Sequence, residues 1–307
     1  MEKPILTIAV SSRALFDFEE ENEIFKKAGE EAYVKIQRER LEQVAAPGPA
    51  FSLAQKLLAM NTDKQRHVEI IILSRNDPVT GLRVFRAIAE HKLNIQRGCF
   101  VRGRRPFRYL QAFGANLFLS SMGEDVRAAL AAGIPAAHLK KETRPNELIR
   151  MAAEAPPLKP PPDNNKELRI AFDGDAVLFG DESERVYQEH GLDAFIRQEK
   201  EMVKESLSPG PLKPFLDKLH ALRELKLPQK IRTALITSRG APTHERPIRT
   251  LMEWGIEVDE AIFLSGSRKE EFIRTFNPDI FFDDQVRFVA DLPKAGHVPA
   301  GVMNESD

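Results

Sequence analysis

The sequence predicts an α/β protein of two related halves, each built on a mostly parallel sheet covered by helices on both faces. Three observations carry this prediction. Short apolar runs alternate with charged helical segments along the chain, as in parallel-sheet proteins. A stiff, proline-rich segment at 154–166, EAPPLKPPPDNNK, divides the chain near its middle. Motifs that precede this segment return after it in the same order.

The elements follow the same order in residues 1–153 and in residues 167–307. Charged stretches at Glu20–Glu42 and Glu182–Ser206 predict helices, and each is followed by a Pro-Gly-Pro turn, at 47–49 and 209–211. A helix is predicted to follow the first of these turns, to about Met60. Apolar runs rich in branched and aromatic residues predict eight buried strands. These are Ile5–Val10, Val68–Leu73, Cys99–Val101, Asn116–Leu119, Leu168–Phe172, Ile231–Ile236, Ala261–Leu264 and Asp279–Phe282.

The two halves also share short sequence motifs at an almost constant spacing. The matching pairs, with their offsets, are IAVSSRALF and IAFDGDAVLF from Ile8 and Ile170 (162), the two PGP turns (162), ILSR and ITSR from Ile72 and Ile236 (164), and FGANLFLSS and FNPDIFFDD from Phe113 and Phe276 (163). Four ordered matches with such stable offsets favour an internal duplication.

Composition excludes several classes of function. The chain has 307 residues with 45 Lys and Arg against 46 Asp and Glu, so its net charge of −1 gives no global case for binding nucleic acid or an anionic membrane. Cys99 is the single cysteine, expected as a small buried residue, and no intrachain disulfide can form. No apolar run approaches the roughly 20 residues of a membrane span, and the N-terminus does not resemble a signal peptide. We therefore expect a cytoplasmic protein.

The second half carries residues suited to phosphate chemistry at the ends of its predicted strands. They are Asp173, Asp175, Thr237, Lys269 in a loop that opens a helix, Asp283 and Asp284. The carboxyl ends of parallel strands meet at one edge of a sheet, so these loops can converge. Converging carboxylates repel one another, and a divalent cation that prefers oxygen ligands, usually Mg²⁺ with phosphate substrates, removes this objection.

Each residue type has a chemical reason to be there and a simpler alternative. Asp173 can attack phosphorus and become an acyl phosphate, while Asp175 can protonate the leaving oxygen and later deprotonate water. Alone, Asp-Gly-Asp is also a common surface turn, and a strand-end Asp pair can cap a helix. Lys269 offsets negative charge, although Arg268 and Lys294 are rivals for that role.

The motifs D-G-D-A-V, a strand-end Thr, a loop Lys and a paired Asp resemble, in this order, the four motifs of the haloacid dehalogenase superfamily. More specifically, IAFDGDAVLFGDESER, SPGPLK, LITSR and IFFDDQ, with SSRALF and PGPAF in the first half, resemble the cytosolic 5′-nucleotidase I family across almost the whole chain. The resemblance implies Rossmann-like halves and Mg²⁺-dependent hydrolysis of nucleoside 5′-monophosphates. The alternatives are a phosphatase or phosphotransferase for another small phosphate ester, or a nucleotide-sensing regulatory protein.

The resemblance also implies roles for single residues. Asp173 is the nucleophile and Asp175 the general acid and base. Phosphate is bound by Thr237, with help from Ser238, and by Lys269. The metal site consists of Asp173, Asp175, Asp284 and Asp283, and which of the last two binds the ion directly stays open. A helical insert at about 180–208 forms a cap over the site.

The first half lacks these groups at the matching positions. Asp173 corresponds to Ser11, Asp175 to Arg13, Thr237 to Leu73, Lys269 to Pro106, and Asp283-Asp284 to Ser120-Ser121. Arg13 would oppose a cation. We therefore expect the first half to keep its fold, bind no Mg²⁺ and form no phosphoenzyme.

An arginine cluster in the first half suggests a second site. It comprises Arg97, Arg102, Arg104, Arg105 and Arg108, interleaved with Phe100, Phe107 and Tyr109. Arg104 and Arg105 are the candidate regulatory anion site, for a nucleotide rather than a polymer because the patch is small. The alternative, which we prefer, is a solvated loop. Assembly as a homo-oligomer is left open.

Overall fold

The computed structural model describes residues 3–139, 167–285 and 300–303. The chain divides into two compact units, residues 1–141 and 142–307. The predicted linker at 154–166 lies outside the described residues. The domain bounds 1–153 and 167–307 therefore remain predictions.

The first unit contains five strands that all pair in parallel, in the order β3-β2-β1-β4-β5. The strands are β1 Leu6–Val10, β2 Val68–Ser74, β3 Arg97–Phe100, β4 Leu117–Ser120 and β5 Ala136–Leu139. Its described helices are α1 Ser12–Leu15, α2 Glu19–Glu39, α3 Phe51–Leu58, α4 Pro78–Glu90, α5 Leu110–Phe113 and α6 Gly123–Ala131, with a 3₁₀ turn at Pro106–Tyr109.

The second unit repeats this strand order with its own five strands. Its first strand is central, its second and third strands follow on one side, and its fourth and fifth follow on the other, all parallel. The strands are β6 Glu167–Phe172, β7 Lys230–Thr237, β8 Glu260–Phe263, β9 Ile280–Asp283 and β10 Ala300–Val302. The described helices are α7 Glu182–Glu201, α8 Lys213–Glu224, α9 Glu245–Glu253 and α10 Glu270–Phe276, with a π-type turn at Gly174–Leu178.

Helices cover both faces of the second sheet because its central strands are apolar at every position. Successive strand residues point to opposite faces. Ala171 and Phe281 join a buried cluster that includes Ile273 of α10. On the other face, Phe172 stacks on Phe282 with ring centroids 5.5 Å apart, and Phe215 of α8 packs 5.9 Å from Phe282. This core fixes the strand ends that carry the candidate site.

All eight strands predicted from sequence are present, with bounds that shift by one or two residues. The structure adds β5 and β10, which the sequence did not predict. They are short, AAHL and AGV, and contain few of the branched residues that mark strands. The predicted insert at 180–208 is helical over Glu182–Glu201.

Local backbone features recur between the units at the spacing of the sequence motifs. The long helices α2 and α7 are each broken by a glycine, Gly29 at φ 80° and Gly191 at φ 79°, which are 162 residues apart. The two PGP turns make the same contact, since Gly48 N donates to Leu15 O at 2.9 Å and Gly210 N to Leu178 O at 2.8 Å. A Cβ on Gly210 would lie 2.3 Å from a backbone oxygen, so only glycine fits there.

Candidate active site

The candidate site lies at the carboxyl ends of three adjacent strands in the second unit. Strand β6 pairs with β7 on one side and with β9 on the other. Asp173 directly follows β6, Thr237 ends β7, and Asp283 ends β9. The parallel sheet thus gathers at one edge residues that are more than 100 positions apart in sequence.

Three carboxylates and one ammonium group form the centre of the site. Oxygen atoms of Asp173, Asp283 and Asp284 all lie within 4.8 Å of one another. Lys269 Nζ lies 2.9 Å from Asp173 Oδ1 and 2.9 Å from Asp283 Oδ2. The Lys269 side chain is only 1% exposed, because it precedes α10 and points into the site. We call Asp173, Asp283 and Asp284 the carboxylate trio.

Burial and mutual repulsion shift the protonation of the trio. Burial raises the pKa of Asp173 to about 7, with Asp283 adding to the rise and Lys269 opposing it. Burial and the charge of Asp283 raise the pKa of Asp284 to about 8. Burial lowers the pKa of Lys269, but Asp173 and Asp283 outweigh this, so its pKa is raised overall. One ammonium does not neutralise three carboxylates, so the site favours a further cation.

The donor set fits a magnesium ion. Mg²⁺ binds carboxylate oxygens and retains several waters rather than filling a complete protein cage. The trio offers three such oxygens at close range. Asp175 does not belong to this group of convergent oxygens, although the sequence placed it among the metal residues. Its metal role therefore remains a prediction without a side-chain contact that supports it.

The Asp175 carboxylate is instead held by a buried arginine. Arg239 Nε donates to Asp175 Oδ2 at 2.8 Å, and Arg239 Nη2 donates to Asp175 Oδ1 at 2.6 Å. Its Nη1 bonds Glu199 of α7, and its guanidinium lies 5.2 Å from the ring centroid of Phe195. Burial lowers the pKa of Arg239, but Asp175 and Glu199 outweigh this and raise it. Asp175 is thereby linked to the helical insert.

A second arginine extends this linkage. Arg246 Nη1 donates to the other oxygen of Glu199 at 2.8 Å, and Arg246 Nε donates to Glu205 O at 2.8 Å. Ser183 Oγ also donates to Glu199, at 2.8 Å. Glu199 is fully enclosed, so its charge is balanced by the two guanidinium groups. We call Asp175, Arg239, Glu199 and Arg246 the ion-pair chain.

The predicted phosphate-binding residues on β7 differ in exposure. Thr237 is 2% exposed, and its Oγ1 accepts from the backbone N–H of Arg239 at 3.2 Å. Gly174 packs closely against it, since a Cβ on Gly174 would lie 3.3 Å from Thr237 Oγ1. Ser238 is exposed. Their roles in binding phosphate stay predictions.

Hydroxyl groups occupy the corresponding position in the first unit. Ser11 Oγ accepts from the backbone N–H groups of Ser121 at 3.1 Å and Ala14 at 3.3 Å. Arg13 pairs with Glu19 at 3.0 Å. These loops border a cavity of about 230 Å³ that is also lined by Tyr33 and other residues of the first unit. The question raised by Arg13 is thus partly answered, because it stabilises the start of α2.

The arginine cluster is largely engaged in contacts within the first unit. Arg97 bonds Glu69, and Arg102 lies 3.3 Å from Glu30. Arg104 and Arg105 lie on the exposed loop before the 3₁₀ turn and are not among the residues that line the cavity. An anion site at Arg104 and Arg105 remains a prediction.

Sequence reasoning missed the ion-pair chain. Arg239 had been set aside as structural because the first half keeps Arg75 at the matching position. A signal was present at another position, where Glu199 stands 162 residues after Gln37. A buried acid that replaces a neutral residue requires a partner, and this points to Arg239 and Arg246.

Over the residues that the structure describes, a search for membrane-spanning helices found none of sufficient length and apolar character. Comparison with known proteins was more informative. A family model described as 5′-nucleotidase matches residues 1–305. The chain is 33% identical to human cytosolic 5′-nucleotidase 1B over 317 aligned residues, covering 99% of this chain and 50% of that protein. The chain therefore spans about half the length of this relative.

Proposed function

The chain belongs to the 5′-nucleotidase family, and from this premise we propose that its second unit hydrolyses nucleoside 5′-monophosphates to nucleoside and phosphate. The observation that carries the proposal is the carboxylate trio around Lys269 at the ends of β6 and β9. This site unites a nucleophile, a fixed positive charge and ligands for a divalent cation. The name of the human relative agrees with this reaction.

Asp173, Asp283 and Asp284 would hold Mg²⁺, which fits their convergent oxygens. When bound, the ion neutralises charge on the phosphate and on the trio. Lys269 supplies a second positive charge at the same place, 2.9 Å from the Asp173 carboxylate. The repulsion that otherwise hinders attack by one anion on another is thereby reduced.

The reaction would proceed in two displacements at phosphorus. An oxygen of Asp173 forms a bond to phosphorus while the bond to the 5′ oxygen breaks, and Asp175 gives that oxygen a proton. Water then attacks the aspartyl phosphate, Asp175 takes a proton from it, and the bond between phosphorus and Asp173 breaks. Thr237 and Ser238 would hold phosphate oxygens. Asp173 is restored and inorganic phosphate is released.

The division of labour between the units would have arisen by duplication of one ancestral domain. Support comes from the identical strand order, the glycine breaks in α2 and α7, and the equivalent PGP turns. The first copy keeps the fold and carries serines where the trio stands in the second copy. We assign catalysis to the second copy alone, with the helical insert at 180–208 as its cap. A cytoplasmic location fits the name of the relative.

A substrate panel tests the proposed function. The full chain is incubated with nucleoside 5′-monophosphates, nucleoside 3′-monophosphates and sugar phosphates, in Mg²⁺ or in EDTA, and inorganic phosphate is measured. We expect release from the 5′-monophosphates in Mg²⁺ only. An alcohol acceptor in parallel reactions separates hydrolysis from phosphotransfer. Preference for a sugar phosphate, or activity in EDTA, would contradict the proposal.

Magnesium binding to the trio predicts a stability effect that needs no substrate. Mg²⁺ at about 100 times its Kd should raise the free energy of unfolding of the second unit by about 2.7 kcal/mol. This corresponds to a Tm increase of roughly 5 °C. Asp284→Asn should abolish the shift, measured by calorimetry at constant ionic strength. An equal shift in this variant would remove Asp284 from the metal site, and no shift in the native chain would contradict metal binding by the trio.

A further inference from the structure

The ion-pair chain connects the loop of the proposed nucleophile to the helical insert. Two nitrogens of Arg239 bond both oxygens of Asp175, at 2.8 and 2.6 Å, so the planar guanidinium fixes the orientation of the carboxylate as well as its position. Arg239 is itself held from several sides, by Glu199, by the ring of Phe195 and by the backbone of Thr237. The side chain that holds Asp175 thus has little freedom to move.

The first unit contains the matching arginines, but there they belong to separate contacts. Arg75, the counterpart of Arg239, bonds both oxygens of Asp125 on α6, at 2.9 and 2.7 Å. Arg83, the counterpart of Arg246, bonds Glu21 at 2.5 Å and Gln37 at 3.0 Å. With Arg13 and Gln37 in place of Asp175 and Glu199, the first unit lacks both acids of the chain.

This contrast separates a structural need from a functional one. Both units fold around a buried arginine on the fourth residue of the same motif, so an arginine there serves the fold. A continuous connection from that arginine to an insert helix is described in the unit that carries the trio. Buried ion pairs stabilise a fold only weakly compared with apolar packing, so their retention here indicates a gain in positioning.

We infer that Arg239 is a positioning residue for Asp175, and that Glu199 on the insert helix positions Arg239. The inference rests on the proposed function, in which Asp175 transfers the proton. The helical insert would then do more than cover the site, because one of its side chains determines where the general acid stands. Arg246 completes the arrangement by occupying the second oxygen of Glu199.

Arg239→Lys tests the inference, since a lysine keeps the charge but cannot bond both carboxylate oxygens in one plane. We expect kcat for a nucleoside 5′-monophosphate to fall about 30- to 100-fold, with KM within about threefold of the native value. Arg75→Lys is the matched control, because it breaks the equivalent two-point contact in the first unit. Its kcat should stay within about twofold. An unchanged kcat in Arg239→Lys would overturn the inference.

A double variant separates positioning from a general effect on folding. If Arg239 acts only through Asp175, adding Arg239→Lys to Asp175→Asn should lower kcat by less than about twofold more. Independent, multiplicative losses would contradict the inference. Glu199→Gln, which introduces the residue that the first unit has at this position, should lower kcat about tenfold and serves if Arg239→Lys does not fold. An inactive native chain would instead refute the proposed function.

Discussion

Asp173→Asn is expected to lower kcat for nucleoside 5′-monophosphates by at least about 10⁴-fold. The substitution removes the proposed nucleophile and one oxygen of the metal site, while the amide retains the shape of the side chain. Phosphate release under saturating Mg²⁺ measures the effect. No other described residue has a carboxylate that follows β6 directly and lies 2.9 Å from Lys269, so a replacement nucleophile is not expected.

The same variant should fold as well as the native chain. Burial raises the pKa of Asp173 to about 7, which means that its charged form is less favourable in the folded state than in the unfolded one. This carboxylate therefore costs stability once pH rises above its unfolded value, and a neutral amide removes that cost. Ser11→Ala, at the matching position of the first unit, is the control and should keep native kcat. Full activity in Asp173→Asn would refute the assignment of the nucleophile.

Lys269→Met is expected to lower both activity and stability. Removing a charge that stabilises the transition state costs about 10²- to 10³-fold in kcat. Removing one partner of a buried ion pair costs about 3–5 kcal/mol in the free energy of unfolding. Lys269 balances two carboxylates at 2.9 Å, so the trio is left without a neighbouring cation. Urea unfolding should show a smaller loss in Mg²⁺ than in EDTA, because the bound ion offsets the same charges.

Arg268→Met provides the matched control for Lys269. The Arg268 side chain is 81% exposed and pairs with Glu270, a contact of the kind that contributes little to stability. Its loss should change the free energy of unfolding by less than about 0.5 kcal/mol and leave kcat within twofold. If Arg268→Met reduced kcat as strongly as Lys269→Met, the phosphate-binding role of Lys269 would be wrong.

The sequence predicted the strands well because their signal is local. Runs such as VEIIILS and IFFD are apolar at every position, as expected for strands buried on both faces. Asp173, Asp283 and Asp284 could be brought together in advance because parallel strands end at one edge. Strand β5, with the sequence AAHL, carries no such local signal, and its neighbour β4 determines its place.

The ion-pair chain could not be predicted in the same way. Its members come from the nucleophile loop, the insert helix, the end of β7 and α9, and only the folded chain brings them into contact. Charged residues on a helix are usually solvated, so Glu199 gave no sign of burial by itself. The comparison with Gln37 becomes informative only when both halves are aligned and the surroundings of α7 are known.

The central claim is that one unit performs the chemistry through an aspartyl phosphate on Asp173. The most direct measurement is rapid acid quench of the full chain with a ³²P-labelled nucleoside 5′-monophosphate and Mg²⁺, followed by borohydride reduction and peptide mapping. The account predicts label, converted to homoserine on reduction, at Asp173 and none on the loop that contains Ser11. Label at any other residue, or turnover without a trapped phosphoenzyme on Asp173, would contradict it.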